Sequence, residues 1–195
     1  SGGDSVSLNF TNVGKTATIL MGSGDDTLNI FNSFAKKLIA RGGPGDDTFN
    51  NTGLLDTRGI TTLDFGPGND TFNNNAGSSF SAAAPGATAA SLTNLETFNN
   101  AGTLTLADGE ANDRIIAPTT AYVASGSARI VVDALLGQAN QQGCPASGSL
   151  IADCIAFRSV TGSTVIVIND TAPSVAAGLN AKGITILHAD NAAGS

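Results

Sequence analysis

The sequence predicts an all-β chain folded as one elongated, right-handed parallel β-helix, a solenoid in which each coil stacks on the previous one. Three observations predict this fold. A Gly-rich acidic phrase returns about once per solenoid coil, apolar residues recur at one position within it, and only 13% of the 195 residues are charged. The 41% of hydrophobic residues suffices for a continuous core.

The repeated phrase has three full copies, two degraded ones and a last echo at 112–115 that keeps only the acid, the spacer and the apolar residue. The full copies are Gly22–Asn29, Gly43–Asn50 and Gly66–Asn73, and their second acidic positions lie 21 and 23 residues apart. Degraded copies occupy 2–7 and 95–100. Gly supplies the positive φ of a tight turn, Asp or Asn bonds to nearby backbone N–H groups, and Thr-apolar-Asn begins a strand with alternating sides. Each phrase therefore predicts a turn followed by a strand.

Superposing the copies predicts two columns along the solenoid axis. The apolar column, expected to be core, contains Val6, Leu28, Phe49, Phe72 and Phe98. The second column, expected to form amide hydrogen bonds from coil to coil, contains Asn29, Asn50, Asn73 and Asn99. Both columns are interpreted as structural, because interior stacking and amide ladders are what a parallel solenoid forms by default.

Regularity is expected to fall along the chain. Residues 1–107 predict regular coils of about 21–26 residues, and 108–195 predict less regular coils with a loop between Cys144 and Cys154. Further strands are expected at 16–20, 37–40, 59–64, 102–106, 128–132, 155–157, 163–168 and 183–187. The stretch 76–90 is expected to be a loop, and weak helix signals occupy 91–96 and 133–141.

Composition and motifs exclude several classes of function. The net charge is −7 and the nine basic residues are scattered, so nucleic-acid binding is not expected. No apolar run approaches the roughly 20 residues of a membrane helix, and residues 1–4 do not resemble a signal peptide, which predicts a mature or excised piece. His188 is the one histidine, with Asp190 nearby, and no nucleophile motif accompanies it. We therefore predict no catalytic residues and no enzymatic activity.

The paired acids of the turns predict a calcium site. If the turns stack, carboxylates would repeat about 4.8 Å apart, and a cation between neighbouring turns would remove their repulsion. The predicted ligands are Asp25, Asp26, Asp46, Asp47 and Asp70, with backbone carbonyls completing the oxygen shell that Ca²⁺ prefers. The alternative is that each Asp only caps its own turn.

Two cysteines, Cys144 and Cys154, flank a short polar loop. A disulfide that closes this loop would suit an oxidising compartment, and no Cys or His company points to zinc. Two reduced, half-buried thiols are the alternative.

Two resemblances follow from these motifs. Gly42–Asn50 resembles the calcium-binding nonapeptide of RTX proteins, although RTX copies follow one another every nine residues and these do not. The segments 95–109, 153–156, 160–171 and 181–187 resemble the late passenger of bacterial autotransporters. That resemblance implies a pertactin-like right-handed β-helix, displayed outside the cell or at its surface through a C-terminal membrane barrel that this segment lacks.

The expected function is a secreted or cell-surface stalk, adhesin or scaffold with an unknown surface or host ligand and no membrane insertion of its own. Two alternatives remain open. One is a β-helical polysaccharide-active enzyme, since paired carboxylates serve such chemistry. The other is a self-associating extracellular filament, since open β-helix ends carry unpaired backbone groups.

Overall fold

The chain forms a parallel β-solenoid of about five turns. The structure, a computed structural model, describes residues 2–9, 12–57, 62–83, 86, 89–136, 151–171 and 185–189. The described part contains 17 strands and no helix. In chain order the strands are β1 (Ser5–Asn9), β2 (Asn12–Leu20), β3 (Thr27–Phe31), β4 (Ser33–Arg41), β5 (Thr48–Asn51), β6 (Leu54–Asp56), β7 (Thr62–Asp64), β8 (Thr71–Asn74), β9 (Ser79–Ser81), β10 (Ala89–Thr93), β11 (Thr97–Asn100), β12 (Thr103–Thr105), β13 (Arg114–Ala124), β14 (Arg129–Ala134), β15 (Cys154–Thr161), β16 (Val165–Asp170) and β17 (Leu187–Ala189).

Three parallel sheets run along the axis, and each coil passes through them in turn. Sheet I contains β1, β3, β5, β8, β11 and the C-terminal parts of β13 and β15. Sheet II contains the N-terminal parts of β2 and β4 with β6, β9, β12, β14 and β16. Sheet III contains the C-terminal parts of β2 and β4, then β7, β10, the N-terminal parts of β13 and β15, and β17. The predicted parallel β-helix is confirmed, while the right-handed sense of its coil stays a prediction.

The interior is a continuous column of apolar side chains. Leu28, Phe49, Phe72 and Phe98 pair in register on sheet I and are fully buried, as the repeat predicts. The rings of Phe72 and Phe98 stack with centroids 5.0 Å apart, and Tyr122 extends the column one coil further. Val6 is only partly buried. Alternation along each strand produces this column, because every second side chain points inward.

Two predictions of local structure are wrong. Ser91 and Leu92, expected in a helical segment, lie on strand β10, which pairs with β7 and β13. Pairing on both sides overrides the weak helix propensity. The expected loop at 76–90 contains strand β9 and the start of β10, so most of its described residues belong to a coil. The helix signal at 133–141 begins on strand β14, and 137–141 lie outside the described residues.

The other predicted strands overlap observed ones, although 58–61 and 172–184 lie outside the described residues. The later coils also turn differently from the earlier ones. Strand β13 runs from sheet III into sheet I with a register shift between Ala117 and Ala121, where the earlier coils have their Gly-rich turn. The corner between these two sheets therefore changes character after residue 100.

Candidate functional site

The Gly-rich phrases form the corner between sheet III and sheet I, and consecutive corners stack directly. The N–H of Gly43 donates to the carbonyl of Phe65, and the N–H of Gly45 donates to that of Pro67, both at 3.0 Å. Gly45 has φ of +138°, and a Cβ there would overlap the Gly24 carbonyl. Glycine is needed because the backbones of two coils touch at this point.

The second acid of each phrase forms an inner carboxylate ladder. Its members are fully or almost fully buried, and each accepts a hydrogen bond from the N–H of the equivalent residue in the previous coil. Asp26 N–H donates to Asp47 Oδ1 at 2.8 Å, and Asp47 N–H donates to Asp70 Oδ1 at 2.7 Å. The ladder extends to Asp4 N–H at one end and to the Glu96 carboxylate at the other.

The first acid of each phrase forms an outer ladder that runs in the opposite direction. Asp46 N–H donates to Asp25 Oδ1 and Asn69 N–H donates to Asp46 Oδ1, both at 2.9 Å. Asp25, Asp46 and Asn69 are exposed. Neighbouring corners are therefore joined twice, by an inner carboxylate from one coil and an outer carboxylate from the other.

Burial sets the electrostatics of the inner ladder. Loss of hydration raises the pKa of Asp70 to about 6, and the charges of Asp47 and Glu96 add to this, while the hydrogen bond from Asp47 N–H opposes it. Burial raises the pKa of Asp47 for the same reason. The second oxygens of Asp26, Asp47 and Asp70 have no hydrogen-bond partner within the described chain. Asp47 and Asp70 are thus costly to ionise.

The five predicted calcium ligands lie at these corners but do not face one another as a single cluster. Asp25 and Asp46 point outward, whereas Asp26, Asp47 and Asp70 are buried. A Cβ added at Gly42 would overlap Asp47 Oδ2. Among the described residues, no group of three or more His, Cys, Asp or Glu side chains could hold a metal ion. The hydrogen bonds support an inter-coil capping role, and calcium stays a prediction.

The predicted amide column is present on the outside of sheet I. Asn50 Nδ2 donates to Asn29 Oδ1 at 3.1 Å, Asn73 Nδ2 donates to Asn50 Oδ1 at 2.8 Å, and Asn99 continues the series. A threonine column runs beside it at the preceding outward position. We call the two columns together the Thr/Asn face, which consists of Thr27, Thr48, Thr71, Thr97, Asn29, Asn50, Asn73 and Asn99. All eight side chains are partly exposed.

A second amide column, inside the solenoid, was missed by the sequence analysis. Asn51 Nδ2 donates to Asn74 Oδ1 at 2.9 Å, Asn74 Nδ2 donates to Asn100 Oδ1 at 2.8 Å, and Asn100 Nδ2 donates to the Tyr122 hydroxyl. All four side chains are buried. The signal was present, because the copies at 43–50, 66–73 and 95–100 all contain or continue as Phe-Asn-Asn, and alternation turns the second Asn inward.

A further carboxylate cluster, also missed, lies at the corner between sheets II and III in the later coils. Asp153 Oδ1 accepts the N–H groups of Asn112 and Asp113 at 3.1 and 3.0 Å, and its Oδ2 accepts that of Asp133 at 2.6 Å. Asp133 in turn accepts the N–H of Asp108 at 2.8 Å. One carboxylate thus joins backbone segments 20 and 40 residues away in sequence.

Burial also dominates at Asp153, which is fully buried. Desolvation raises its pKa to about 8, and the nearby charges of Asp113 and Asp133 add to this, while the hydrogen bonds from their N–H groups oppose it. Such a shift is typical of functional sites but also of structural networks. Here the oxygens are turned toward backbone donors.

The remaining candidate residues are dispersed. His188 lies on β17 and is partly buried, while Asp190 lies outside the described residues. Cys154 is buried at the start of β15, and Cys144 lies outside the described residues, so their pairing stays a prediction. In the described part of the chain, no helix has the length and apolar character needed to cross a bilayer.

The fold and its corners define the class of this protein as a parallel β-solenoid built from an imperfect repeat. Comparison with family models, curated proteins and solved structures gave no match. Any proposal of function therefore rests on the repeat, its hydrogen-bonded ladders and its exposed faces.

Proposed function

We propose that this chain is a segment of a secreted or cell-surface passenger of the autotransporter type, in which it serves as a stalk, adhesin or scaffold. One observation supports the proposal above the others. The acids of the repeated phrase and its inner asparagines use their hydrogen-bonding groups to join neighbouring coils. A chain whose repeated polar residues hydrogen-bond between coils is suited to building a rigid elongated body.

The proposal is tested on the complete gene. It predicts a signal peptide before this segment and a membrane barrel after it. Intact cells that express the full gene should be labelled by antibodies against this segment, and cells that express a version without the downstream barrel should not. A periplasmic marker protein serves as the control for cell integrity. Labelling that survives removal of all downstream sequence would contradict the anchoring, and absence of labelling with the full gene would contradict surface display.

The runner-up is a β-helical polysaccharide-active enzyme, and the raised pKa of Asp153 is the observation that favours it. Against it, Asp153 is fully buried and bonded to three backbone N–H groups, so it does not face a substrate. Release of reducing ends from acidic and neutral polysaccharides by purified protein, lost on Asp153→Asn while the fold is kept, would favour the enzyme.

A further inference from the structure

The Thr/Asn face is unusually regular for an exposed surface. Thr48 pairs with Thr27 and Thr71, and Asn50 pairs with Asn29 and Asn73, without a register shift. Parallel strands lie about 4.8 Å apart, so each column repeats at that spacing, and the two columns stand about 6.6 Å apart along the strands. Four coils therefore present a strip about 14 Å long and about 7 Å wide.

The hydrogen-bonding groups of this strip are held in place. Each amide has two N–H donors and two lone pairs, and the outer ladder occupies one of each at Asn50 and Asn73. The remaining donor and acceptor of each amide are left for solvent or a ligand. Threonine is stiff at χ1, and the amides are fixed by their neighbours, so a ligand would order few groups on binding.

The charges on and around the Thr/Asn face favour a neutral ligand over an anionic one. The outward positions of the four strands carry no charged side chain, although the chain has a net charge of −7. The adjoining corner carries the exposed carboxylates of Asp25 and Asp46. An anionic polymer on the strip would be repelled by these acids, whereas a neutral polymer would not.

We propose that the Thr/Asn face binds an extended, neutral polysaccharide whose chain lies along the solenoid axis. Sugar hydroxyls both donate and accept hydrogen bonds, as the free groups of the face do, and a linear polymer matches a strip only two columns wide. The inference rests on the proposed function, because it assigns a ligand class and a surface to the adhesin role.

The test is affinity electrophoresis of the purified chain through native gels that contain hydroxyethyl cellulose or glucomannan, with carboxymethyl cellulose as the anionic counterpart. The test variant is Thr48→Val with Thr71→Val, which keeps the branched shape and removes two hydroxyls. The matched control is Thr103→Val with Thr105→Val, at partly exposed positions of β12 on sheet II. Circular dichroism of all three proteins verifies that the fold is retained.

We expect retardation by at least one neutral polymer, weakened about tenfold in the test variant and unchanged in the control, because two hydrogen bonds are lost. Carboxymethyl cellulose should retard the chain less than hydroxyethyl cellulose. Equal retardation of test variant and parent, no retardation in either neutral gel, or equal retardation by the anionic polymer would each overturn the proposal. None of these results bears on surface display, which the cell-labelling experiment tests separately.

Discussion

The earlier and later coils of this solenoid are held together at different corners and in different ways. Between residues 22 and 100, each corner of sheets III and I contributes one carboxylate, buried in the aspartates and partly buried in Glu96, that accepts one N–H from the coil before it. Between residues 108 and 153, Asp153 alone accepts three N–H groups at the corner of sheets II and III. The first arrangement distributes the inter-coil hydrogen bonds, and the second concentrates them.

The difference shows what a repeat contributes beyond a core. Both regions bury apolar columns, and Tyr122 of the later region packs on Phe98 of the earlier one. In the distributed arrangement, loss of one carboxylate removes one hydrogen bond from a series of similar ones. In the concentrated arrangement, loss of one carboxylate removes three at once. The two regions should therefore respond differently to equivalent substitutions.

The largest expected effect is at Asp153. Asp153→Ala leaves three backbone N–H groups without their acceptor. Each loss costs about 1–3 kcal/mol, and removal of a desolvated carboxyl partly offsets the sum. The free energy of unfolding should therefore fall by about 3–5 kcal/mol. Asp47→Ala leaves only the Asp26 N–H and should cost about 1–2 kcal/mol. Urea unfolding of both variants measures the two losses. Equal losses would contradict the difference between the distributed and the concentrated hydrogen bonds.

The pH dependence of stability should come from both regions. The pKa of Asp70 is about 6 and that of Asp153 about 8 in the folded chain, above the value of about 3.9 for an unfolded Asp. The folded state then binds protons more tightly, so these groups favour folding most below about pH 4. That contribution is lost as pH rises through 6 and then 8.

Urea unfolding at pH 5, 7 and 8.5 measures this loss as a fall in the free energy of unfolding. Asp70→Asn should flatten the fall at the lower end of the range, and Asp153→Asn should flatten it between pH 6 and 8. Glu110→Gln serves as the control. Glu110 is exposed, and its pKa is lowered, mainly by the hydrogen bond that it accepts from Gly86 N–H. Stability that rises steadily with pH in the parent would contradict the burial argument.

A disulfide between Cys144 and Cys154 would give the later coils a covalent link that the earlier ones lack. Closing so short a loop should contribute about 2–3 kcal/mol. Mass spectrometry after alkylation without reductant should find both cysteines unalkylated, and reduction should lower the melting temperature. Two alkylated cysteines in the native protein would exclude the bond.

Adjacent asparagines allow the inner and outer ladders to be compared within one strand. Asn74→Ala should cost about 2–3 kcal/mol, since it removes one hydrogen bond from each of the buried amides of Asn51 and Asn100. Asn73→Ala should cost about 0.5–1 kcal/mol, since water replaces its bonds. Thermal unfolding of the two variants gives the ranking, and a larger loss for Asn73 would reverse the assignment of faces.

The smallest expected effect is that of calcium on the earlier corners. The exposed carboxylates of Asp25 and Asp46 repel by about 1 kcal/mol in water, and a bound ion would remove at most a repulsion of that order. Chelator should therefore lower the melting temperature slightly, and millimolar calcium should restore it. Asp46→Asn should abolish the response, and Glu110→Gln should not. An identical melting curve with chelator and with calcium would leave capping as the sufficient explanation.

The sequence predicted the core column and the outer amide column because both recur at one position of a repeat. It did not separate the two acids of each pair, which it assigned together to a cation. In the structure Asp46 lies outward and Asp47 inward, in phase with the alternation of the strand that follows, whereas the sequence analysis assigned both acids to the turn. The inner amides were missed because a buried Asn is unfavourable until its partner in the next coil is known.

Asp153 shows the limit of pattern reasoning. No copy of its surroundings recurs, and its donors come from residues 112, 113 and 133. By itself the sequence determined the solenoid, its period and its apolar axis, because these follow from local turn chemistry and alternation repeated along the chain. Only the tertiary structure decided which polar groups are buried and which N–H each carboxylate accepts, because those partners lie one or two coils away.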